Sequence, residues 1–354
     1  MNRVDIIEEL EKNLKDLGNG TPVFPKIIDI HPVNGRCNLN CTWCIGQKGY
    51  VNIPSVTDNF KKEEIMCLMD NIFRESYRSN WPLEVHICGC DSEPLLKWKE
   101  VSFLIKELRK KNVTTELITN GLLIDKRKIC DLLNLDKISI SLDVVNDKDF
   151  YIYKVNNSAG ERYGFSKIID KIKLITEQKK LSNSSVSIYV TFVATENTFD
   201  YETWEEAFRL LKEVGVNHIQ VREDINGTRS AGNYLSQVIA NISKRMSADT
   251  IDYEKENHFD IKYHSPSSEE NIFTKCISPL FWPAITMDLQ LRRCAHTALS
   301  IYEPLTDLKV QNYYEYYEKC SHIEKNVNYI GCDKKCPPTL SRINSKFYKK
   351  RKED

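Results

Sequence analysis

Short apolar segments alternate with helix-patterned segments between residues 1 and 223, and this alternation constrains the fold more than any other feature. The predicted strands are residues 25–33, 83–88, 114–119, 138–143, 185–193 and 218–223, and the predicted helices are residues 1–17, 61–76, 95–111, 125–135, 164–180 and 201–214. Strands separated by helical crossovers form a parallel sheet in an α/β fold. Right-handed crossovers bring the carboxyl ends of the strands to one rim, where barrels of this kind carry their chemistry.

Three cysteines follow the first predicted strand at a spacing that suits an iron–sulfur cluster. Cys37, Cys41 and Cys44 lie in the segment CNLNCTWC, with the pattern C-x3-C-x2-C. Thiolates are the usual ligands of such clusters, and three of them hold three corners of a cubic cluster while leaving the fourth iron open. The alternative is a structural zinc site, which needs four ligands. No fourth Cys or His stands nearby at zinc-finger spacing, since His31 lies on the preceding strand.

Composition narrows the classes of function that remain. The 354 residues include 50 basic and 50 acidic side chains, so no electrostatic attraction to nucleic acid or to an anionic membrane is expected. The N-terminal segment has no apolar signal-peptide core, and no apolar run reaches the length of about 18 residues that predicts a membrane span. Twelve cysteines without a secretory signal favour cluster or metal ligation over disulfides, and a cytoplasmic location is expected. Two of them, Cys67 and Cys130, lie on apolar faces of predicted helices and are expected in the core.

The cysteine pattern and three later segments resemble the radical S-adenosylmethionine (SAM) superfamily. Trp43 stands just before the third cysteine, where that family usually has an aromatic residue, and the segments GCDSEPLL (89–96), ITNG (118–121) and SISLD (139–143) come at strand ends in the family's order. The resemblance covers about residues 20–230. It implies a partial (β/α)6 barrel, a [4Fe-4S] cluster on the three cysteines and SAM at the open iron. In this family, one electron from the cluster cleaves SAM to methionine and a 5′-deoxyadenosyl radical, which abstracts a hydrogen atom from the substrate.

The resemblance also implies which residues bind SAM. They are Trp43, Gly89, Glu93, Asn120, Ser141 and Asp143. Glu93 matches the glycine-rich element that meets the SAM amino group, but Asp91 and Ser92 replace the usual glycine pair. Because glycine gives the backbone freedom near a ligand, the local geometry of this element is expected to differ.

Several of these residues also have a purely structural interpretation. Glu93 suits a helix N-terminus, Asn120 suits a turn with Gly121, and Asp143 suits a helix cap. Arg222, at the end of the sixth predicted strand, has a planar guanidinium that suits clamping a carboxylate or phosphate of SAM or of the substrate. Its alternative is a salt bridge with a neighbouring carboxylate.

Five further cysteines lie near the C-terminus and resemble the auxiliary-cluster module called SPASM and its shortened form, Twitch. A full SPASM module usually has seven cysteines, whereas this segment has five. One auxiliary [4Fe-4S] cluster is therefore expected and not two. Its predicted ligands are Cys276, Cys294, Cys332 and Cys336, with Cys320 able to replace one of them. The segment FWPAITMDLQLRRC predicts a β-hairpin that delivers Cys294. A structural zinc is the alternative, which the C-x3-C pair also suits.

Five domains are predicted from these patterns. They are an N-terminal helix (1–20), a radical SAM partial barrel (21–230), a polar connecting segment (231–275), an auxiliary iron–sulfur module (276–340) and a basic tail (341–354).

The first functional hypothesis is a radical SAM oxidoreductase that resembles the 2-deoxy-scyllo-inosamine dehydrogenase type. It would oxidise a small, carbohydrate-like or aminocyclitol-like molecule, with reduced flavodoxin or ferredoxin as electron donor and the auxiliary cluster as electron acceptor. The alternatives are a peptide- or protein-modifying SPASM maturase and a non-catalytic iron–sulfur protein. The short segment before Cys37 is unlike the leader-binding domain of many peptide maturases. The substrate preference rests on family analogy alone.

Overall fold

The structure is a computed structural model, and it describes much of the chain up to residue 319. The described residues are 3–33, 35–44, 61–90, 92–154, 164–195, 198, 200–223, 237–244, 259–264, 276–297 and 303–319. The chain divides into two compact units. Unit 1 comprises residues 1–36, 45–116 and 269–354, and unit 2 comprises residues 37–44 and 117–268. The cysteine segment therefore belongs to unit 2, although the strand before it belongs to unit 1.

The described residues form strands and helices that alternate along most of the chain. The strands are β1 (Ile27–His31), β2 (Glu84–Ile87), β3 (Thr114–Thr119), β4 (Lys137–Ser141), β5 (Ser187–Ala194), β6 (His218–Glu223), β7 (Asp260–His264), β8 (Ala284–Thr286), β9 (Gln290–Arg292) and β10 (Thr306–Asp307). The helices are α1 (Arg3–Gly18), α2 (Lys62–Ile72), α3 (Trp98–Lys111), α4 (Ile129–Leu132), α5 (Asp147–Tyr153), α6 (Phe165–Ser182), α7 (Tyr201–Glu213), α8 (237–244) and α9 (Tyr313–Lys319). Each of the six predicted strands overlaps one of β1 to β6, and the predicted α/β fold with a large, mainly parallel sheet is confirmed.

In unit 1, strands from both ends of the chain pair side by side. The order is β10-β9-β8-β1-β2, and β1 pairs in parallel with both β2 and β8. Ile30 of β1 stands opposite Ile87 of β2 and Ile285 of β8. Strands β8 and β9 form the predicted hairpin, with Ala284 opposite Arg292. The hairpin is thus confirmed, and its parallel pairing with β1 is a feature that the sequence pattern did not predict.

A buried polar cluster lies on one face of β1 and β2 in unit 1. His86 Nδ1 donates to Asp29 Oδ1 at 2.9 Å and Nε2 donates to Glu84 Oε1 at 3.0 Å, with Glu116 Oε2 at 3.6 Å from Nε2. The indole N–H of Trp282 donates to the same Asp29 oxygen at 2.7 Å. Burial by itself lowers the pKa of His86, but the hydrogen bonds to Asp29 and Glu84 outweigh it and raise the pKa to about 10. The ring is therefore an imidazolium at neutral pH, compensating nearby carboxylates.

In unit 2, strands β4 to β7 are parallel and run in the order β4-β5-β6-β7. Successive side chains of a strand point to opposite faces. On β5, Ile188, Val190 and Phe192 are fully buried, whereas the residues between them are only partly buried. The ring of Phe192 lies 5.2 Å from Trp204 and 5.3 Å from Phe208 of α7, which gives this face an aromatic core.

Two features of unit 2 differ from the sequence predictions. Residues 231–275 were expected to connect without regular structure, but they contain α8 and β7, which pairs in parallel with β6. Strand β7 has only five residues and lies in a polar segment, so the sequence gives little periodic signal for it. Its first residue, Asp260, accepts a hydrogen bond of 2.5 Å at Oδ1 from His218 Nδ1 of β6. Cys130 is exposed and not in the core, because α4 is a single short turn; Cys67 is half-buried.

No helix among the described residues is long and apolar enough to cross a bilayer.

Candidate active site

The cysteine loop is a compact turn in unit 2 that carries three cysteines, none of which forms a disulfide. Cys37, Cys41 and Cys44 are all partly exposed. The backbone N–H of Cys44 donates to the carbonyl of Cys41 at 3.0 Å, and the N–H of Leu39 donates to Cys37 Sγ at 3.4 Å. Leu39 is buried and anchors the loop through its side chain. Local hydrogen bonds and the buried Leu39 side chain thus hold the loop in place.

Helix α5 holds the far end of this loop. The N–H of Thr42 donates to the carbonyl of Tyr153, the last residue of α5, at 2.9 Å. The ring of Trp43 lies 6.0 Å from the ring of Tyr153. The aromatic residue of the cysteine motif therefore packs against α5, a helix that sequence patterning missed. Its predicted contact with SAM stays a prediction.

Two asparagines connect the cysteine loop to the turn after β3. The N–H of Leu122 donates to Asn120 Oδ1 at 3.1 Å, which leaves Asn120 Nδ2 to donate to Asn38 Oδ1 at 2.7 Å and to Cys37 Sγ at 3.8 Å. These hydrogen bonds fix the orientation of the Asn38 and Asn120 side-chain amides. It leaves the buried Nδ2 of Asn38 without an acceptor among the described residues. Gly121 has a φ of 81°, so the turn interpretation of Asn120 and Gly121 is confirmed.

At the end of β4, Asp143 forms a buried ion pair that sequence reasoning missed. Lys154 Nζ lies 2.9 Å from Asp143 Oδ2 and also donates to the carbonyl of Ser141 at 2.5 Å. Asp143 adopts a left-handed backbone, with a φ of 63°. The alternative prediction of Asp143 as a helix cap is wrong, because the cap of α5 is Asn146, whose Oδ1 accepts from the N–H of Asp149 at 2.8 Å.

The donor set of the loop fits an iron–sulfur cluster. Burial raises the pKa of the Cys41 thiol to about 12; Lys154 opposes this, whereas Asp143 and the other two thiols add to it. Three neighbouring thiolates repel one another, and bound cationic iron removes that penalty because it stabilises each thiolate. The unpaired Nδ2 of Asn38 beside Cys37 is the kind of donor that hydrogen-bonds to a cluster sulfur. Cys37, Cys41 and Cys44 are therefore suited to hold a [4Fe-4S] cluster.

The glycine-rich element lies in unit 1, directly after β2. Glu93 is 2% exposed; its N–H donates to the carbonyl of Arg36 at 2.9 Å, and its Oε1 accepts from the N–H of Leu95 at 3.0 Å. Glu93 thus begins the short 3-10 helix Pro94–Lys97, as the structural interpretation had it. Its predicted contact with the SAM amino group stays a prediction. Ser92 Oγ donates to the carbonyl of Val33 at 2.5 Å, which folds the element back onto β1's end.

Replacing Gly89 with alanine should force the segment after β2 apart, because the added methyl group clashes with Ser92. An added Cβ would lie 2.1 Å from Ser92 Oγ and 2.7 Å from the Ser92 carbonyl oxygen, and backbone cannot rotate away. We expect a loss of about 1–3 kcal/mol in the free energy of unfolding, measured by urea denaturation. Gly18→Ala is the matched control, because its Cβ would meet no atom within 4 Å. Equal unfolding midpoints for the two variants would contradict the role given to Gly89.

Arg222 lies on a polar face of the sheet in unit 2. Ser139, Tyr189, His218 and Asp260 stand opposite one another on β4 to β7 and so share this face. The ring of Tyr189 stacks on His218 with centroids 4.2 Å apart. Further along β6, Arg222 is exposed and its Nη2 donates to Gln220 Oε1 at 3.2 Å. Its role as a clamp stays a prediction, as does a salt bridge to the carboxylates that follow it, which lie outside the described side chains.

The late cysteines are described only in part. Cys276 precedes the β8–β9 hairpin and Cys294 follows it; both are half-buried and neither forms a disulfide. Cys320, Cys332 and Cys336 lie outside the described residues. The auxiliary cluster therefore stays a prediction.

The cysteine loop lies within a segment that matches a known protein family. A family model described as the Radical SAM superfamily matches residues 32–199. A search of curated protein sequences finds no match.

Solved structures share the fold. SuiB of Streptococcus suis bound to S-adenosylmethionine has a TM-score of 0.61 at 15% identity, covering 90% of this chain and 69% of SuiB. SuiB bound to its precursor peptide SuiA has a TM-score of 0.59 at 14% identity, covering 90% of this chain and 70% of SuiB. Native anSMEcpe with bound AdoMet has a TM-score of 0.59 at 18% identity, covering 85% of this chain and 83% of that protein. At these identities the likeness extends to the fold alone. The match of the family model, which includes the C-x3-C-x2-C loop, identifies residues 32–199 as a radical SAM superfamily domain.

Proposed function

We propose that this chain is a radical SAM enzyme that acts on a small, polar substrate. The observation that carries the proposal is the loop of residues 37–44, which holds three cysteines that form no disulfide within a radical SAM domain. Cys37, Cys41 and Cys44 would hold a [4Fe-4S] cluster with one iron left for SAM. When bound, this group supplies the one-electron cleavage of SAM that yields methionine and a carbon radical able to abstract hydrogen.

The chain's own residues hold the thiols in place for this chemistry. The hydrogen bond from Thr42 to Tyr153 fixes the second half of the loop, and Asn120 Nδ2 fixes Cys37 through Asn38. Hydrogen bonds to cysteine sulfur also stabilise its negative charge. A loop held in this way presents its ligands with little reorganisation when the cluster is assembled.

Reductive cleavage of SAM tests the proposal directly. Anaerobically reconstituted protein is expected to form 5′-deoxyadenosine and methionine when dithionite supplies the electron. Both products are measured by liquid chromatography with mass spectrometry, beside a control without reductant. Protein that retains iron and sulfide but forms no 5′-deoxyadenosine would contradict the proposal.

We propose a carbohydrate-like or aminocyclitol-like substrate, rich in hydroxyl or amino groups, by analogy with the family that the sequence resembles. Arg222, exposed near the carboxyl end of β6, suits binding of a carboxylate or phosphate of SAM or of the substrate. Deuterated polyols and aminocyclitols should transfer deuterium to 5′-deoxyadenosine, as measured by mass spectrometry. Transfer from peptides alone would replace this substrate class with that of a peptide maturase.

We also propose that the net reaction is an oxidation. Loss of one hydrogen atom leaves a substrate radical, which must lose a further electron and a proton to become an oxidised product. An auxiliary [4Fe-4S] cluster on Cys276, Cys294, Cys332 and Cys336 would accept that electron, with Cys320 able to replace one ligand. Reduced flavodoxin or ferredoxin would supply the electron that begins each turnover.

The iron content distinguishes one cluster from two. Reconstituted protein is expected to hold about eight irons per chain. Cys276→Ala together with Cys294→Ala should lower the content to about four, while SAM cleavage persists, because the cysteine loop is unchanged. Iron is measured by a colorimetric assay, with Cys67→Ala as the control. A content of about four irons in the unmodified protein would remove the auxiliary cluster from the proposal.

A further inference from the structure

Lys154 is a buried lysine of unit 2 whose ammonium group already has three acceptors. Its side chain is 1% exposed. Nζ donates to the carbonyls of Ser141 at 2.5 Å and Leu142 at 3.2 Å, and to Asp143 Oδ2 at 2.9 Å. An ammonium group has three N–H donors, and here all three are used. Lys154 therefore acts through its charge and position and has no donor left for a ligand.

Lys154 is the next residue in sequence after Tyr153, whose carbonyl group holds the cysteine loop. Thr42, between the second and third cysteines, donates its N–H to the carbonyl of Tyr153 at 2.9 Å. Tyr153 immediately precedes Lys154, whose own N–H donates to the carbonyl of Phe150 at 2.9 Å at the end of α5. The carboxyl end of α5 therefore fixes the cysteine loop and the ammonium group together.

Lys154 holds a positive charge beside the cysteine loop. Its side chain is buried, and it follows Tyr153, whose carbonyl accepts from the N–H of Thr42 between the second and third cysteines. The attraction of Asp143 is among the causes that raise the pKa of Lys154 against the effect of burial, so the group stays protonated. Buried charges act strongly because little water screens them. The ammonium group therefore favours negative charge on the loop, and the carboxylate of Asp143, 2.9 Å from Nζ, opposes it.

We propose that Lys154 is a positioning residue that raises the reduction potential of a cluster held by Cys37, Cys41 and Cys44, and that Asp143 moderates this effect. When an external one-electron reductant reduces such a cluster, the cluster becomes more negative by one charge. A nearby cation stabilises that state, and cluster potentials depend on charge and environment in this way. The inference rests on the proposed function only in requiring that the three cysteines hold a cluster.

Two substitutions with opposite expected signs test the inference. Lys154→Met keeps most of the side-chain length and removes the charge, so we expect a more negative midpoint potential. Asp143→Asn keeps the shape, still offers an oxygen to Lys154 and tolerates the left-handed backbone, so we expect a more positive one. The potential is measured on reconstituted, SAM-free protein by titration with dithionite in the presence of redox mediators. The electron paramagnetic resonance signal of the reduced cluster reports the end point.

A second Lys–Asp pair in unit 2 provides the control. Lys128 Nζ lies 2.5 Å from Asp125 Oδ2, and this pair stands in the segment between β3 and α4. Lys128→Met and Asp125→Asn are expected to leave the potential unchanged. A purely structural role for Lys154 would move both test variants in one direction, or alter iron content alone.

The outcomes separate this inference from the proposed function. If the unmodified protein cannot assemble a cluster on the loop, the proposed function is wrong. Protein that holds the cluster, but whose two test variants shift together or not at all, overturns the inference alone. If Lys154→Met does not fold, Asp143→Asn decides by itself, because the absence of a positive shift overturns the inference.

Discussion

Replacing Cys37, Cys41 and Cys44 together with alanine should abolish SAM cleavage and remove about four irons per chain. The three thiolates are the ligands proposed for a cluster on this loop, and alanine offers no ligand in their place. Formation of 5′-deoxyadenosine should fall to the level of a protein-free control. The chain should still fold, because all three cysteines are partly exposed and the loop is held by backbone hydrogen bonds and by Leu39.

The control for the triad is a cysteine that plays no part in this loop. Cys130 is exposed on α4, and Cys130→Ala should leave both iron content and SAM cleavage unchanged. Circular dichroism of the triple variant shows whether it is folded. A folded triple variant that still cleaves SAM at the rate of the unmodified protein would favour the non-catalytic alternative for this loop.

Replacing His86 with leucine should be among the most destabilising single changes in unit 1. The imidazolium donates to Asp29 and Glu84, and Glu116 lies 3.6 Å away. Leucine would leave these carboxylates buried beside a hydrocarbon. Breaking a buried ion pair by removing one partner costs about 3–5 kcal/mol. The loss is measured as the change in the free energy of unfolding in urea at neutral pH.

The same histidine should give stability a distinct pH dependence. Its pKa is raised from 6.5 to about 10 in the folded state, so the native protein binds a proton that the unfolded chain releases. This stabilisation is fully present below pH 6.5 and is lost as the pH rises through about 10. Over that interval the contribution falls by about 1.4 kcal/mol per pH unit. The difference in unfolding free energy between the unmodified protein and His86→Leu should therefore shrink as the pH rises.

An exposed ion pair supplies the control for His86. Lys110 Nζ lies 2.6 Å from Glu107, and its side chain is largely exposed, so Lys110→Gln should change stability little at any of these pH values. A pH-independent difference between His86→Leu and the unmodified protein would show that His86 is neutral in the fold.

The fold and the cysteine loop were predictable because their signals are contiguous in sequence. Strand β5 and helix α7 each carry a clear period, and the triad lies within eight residues. The pairing of Lys154 with Asp143 was not predictable in the same way. It depends on how α5 turns back toward the end of β4, and a single lysine in a polar segment resembles any solvated lysine. The short strand β7 was missed for a related reason, since its pairing with β6 and not its pattern defines it.

The early strand β1 also has a late partner, and this has a consequence for synthesis of the chain. β1 ends at His31, whereas its neighbour β8 begins at Ala284. At roughly 5–20 residues per second, a ribosome needs on the order of ten to fifty seconds to make the intervening chain. Until then, one edge of β1 has unpaired backbone groups that another polypeptide can bind. Nascent chains stalled before residue 284 should therefore depend on chaperones to stay unaggregated, and full-length chains should lose that dependence once β8 emerges.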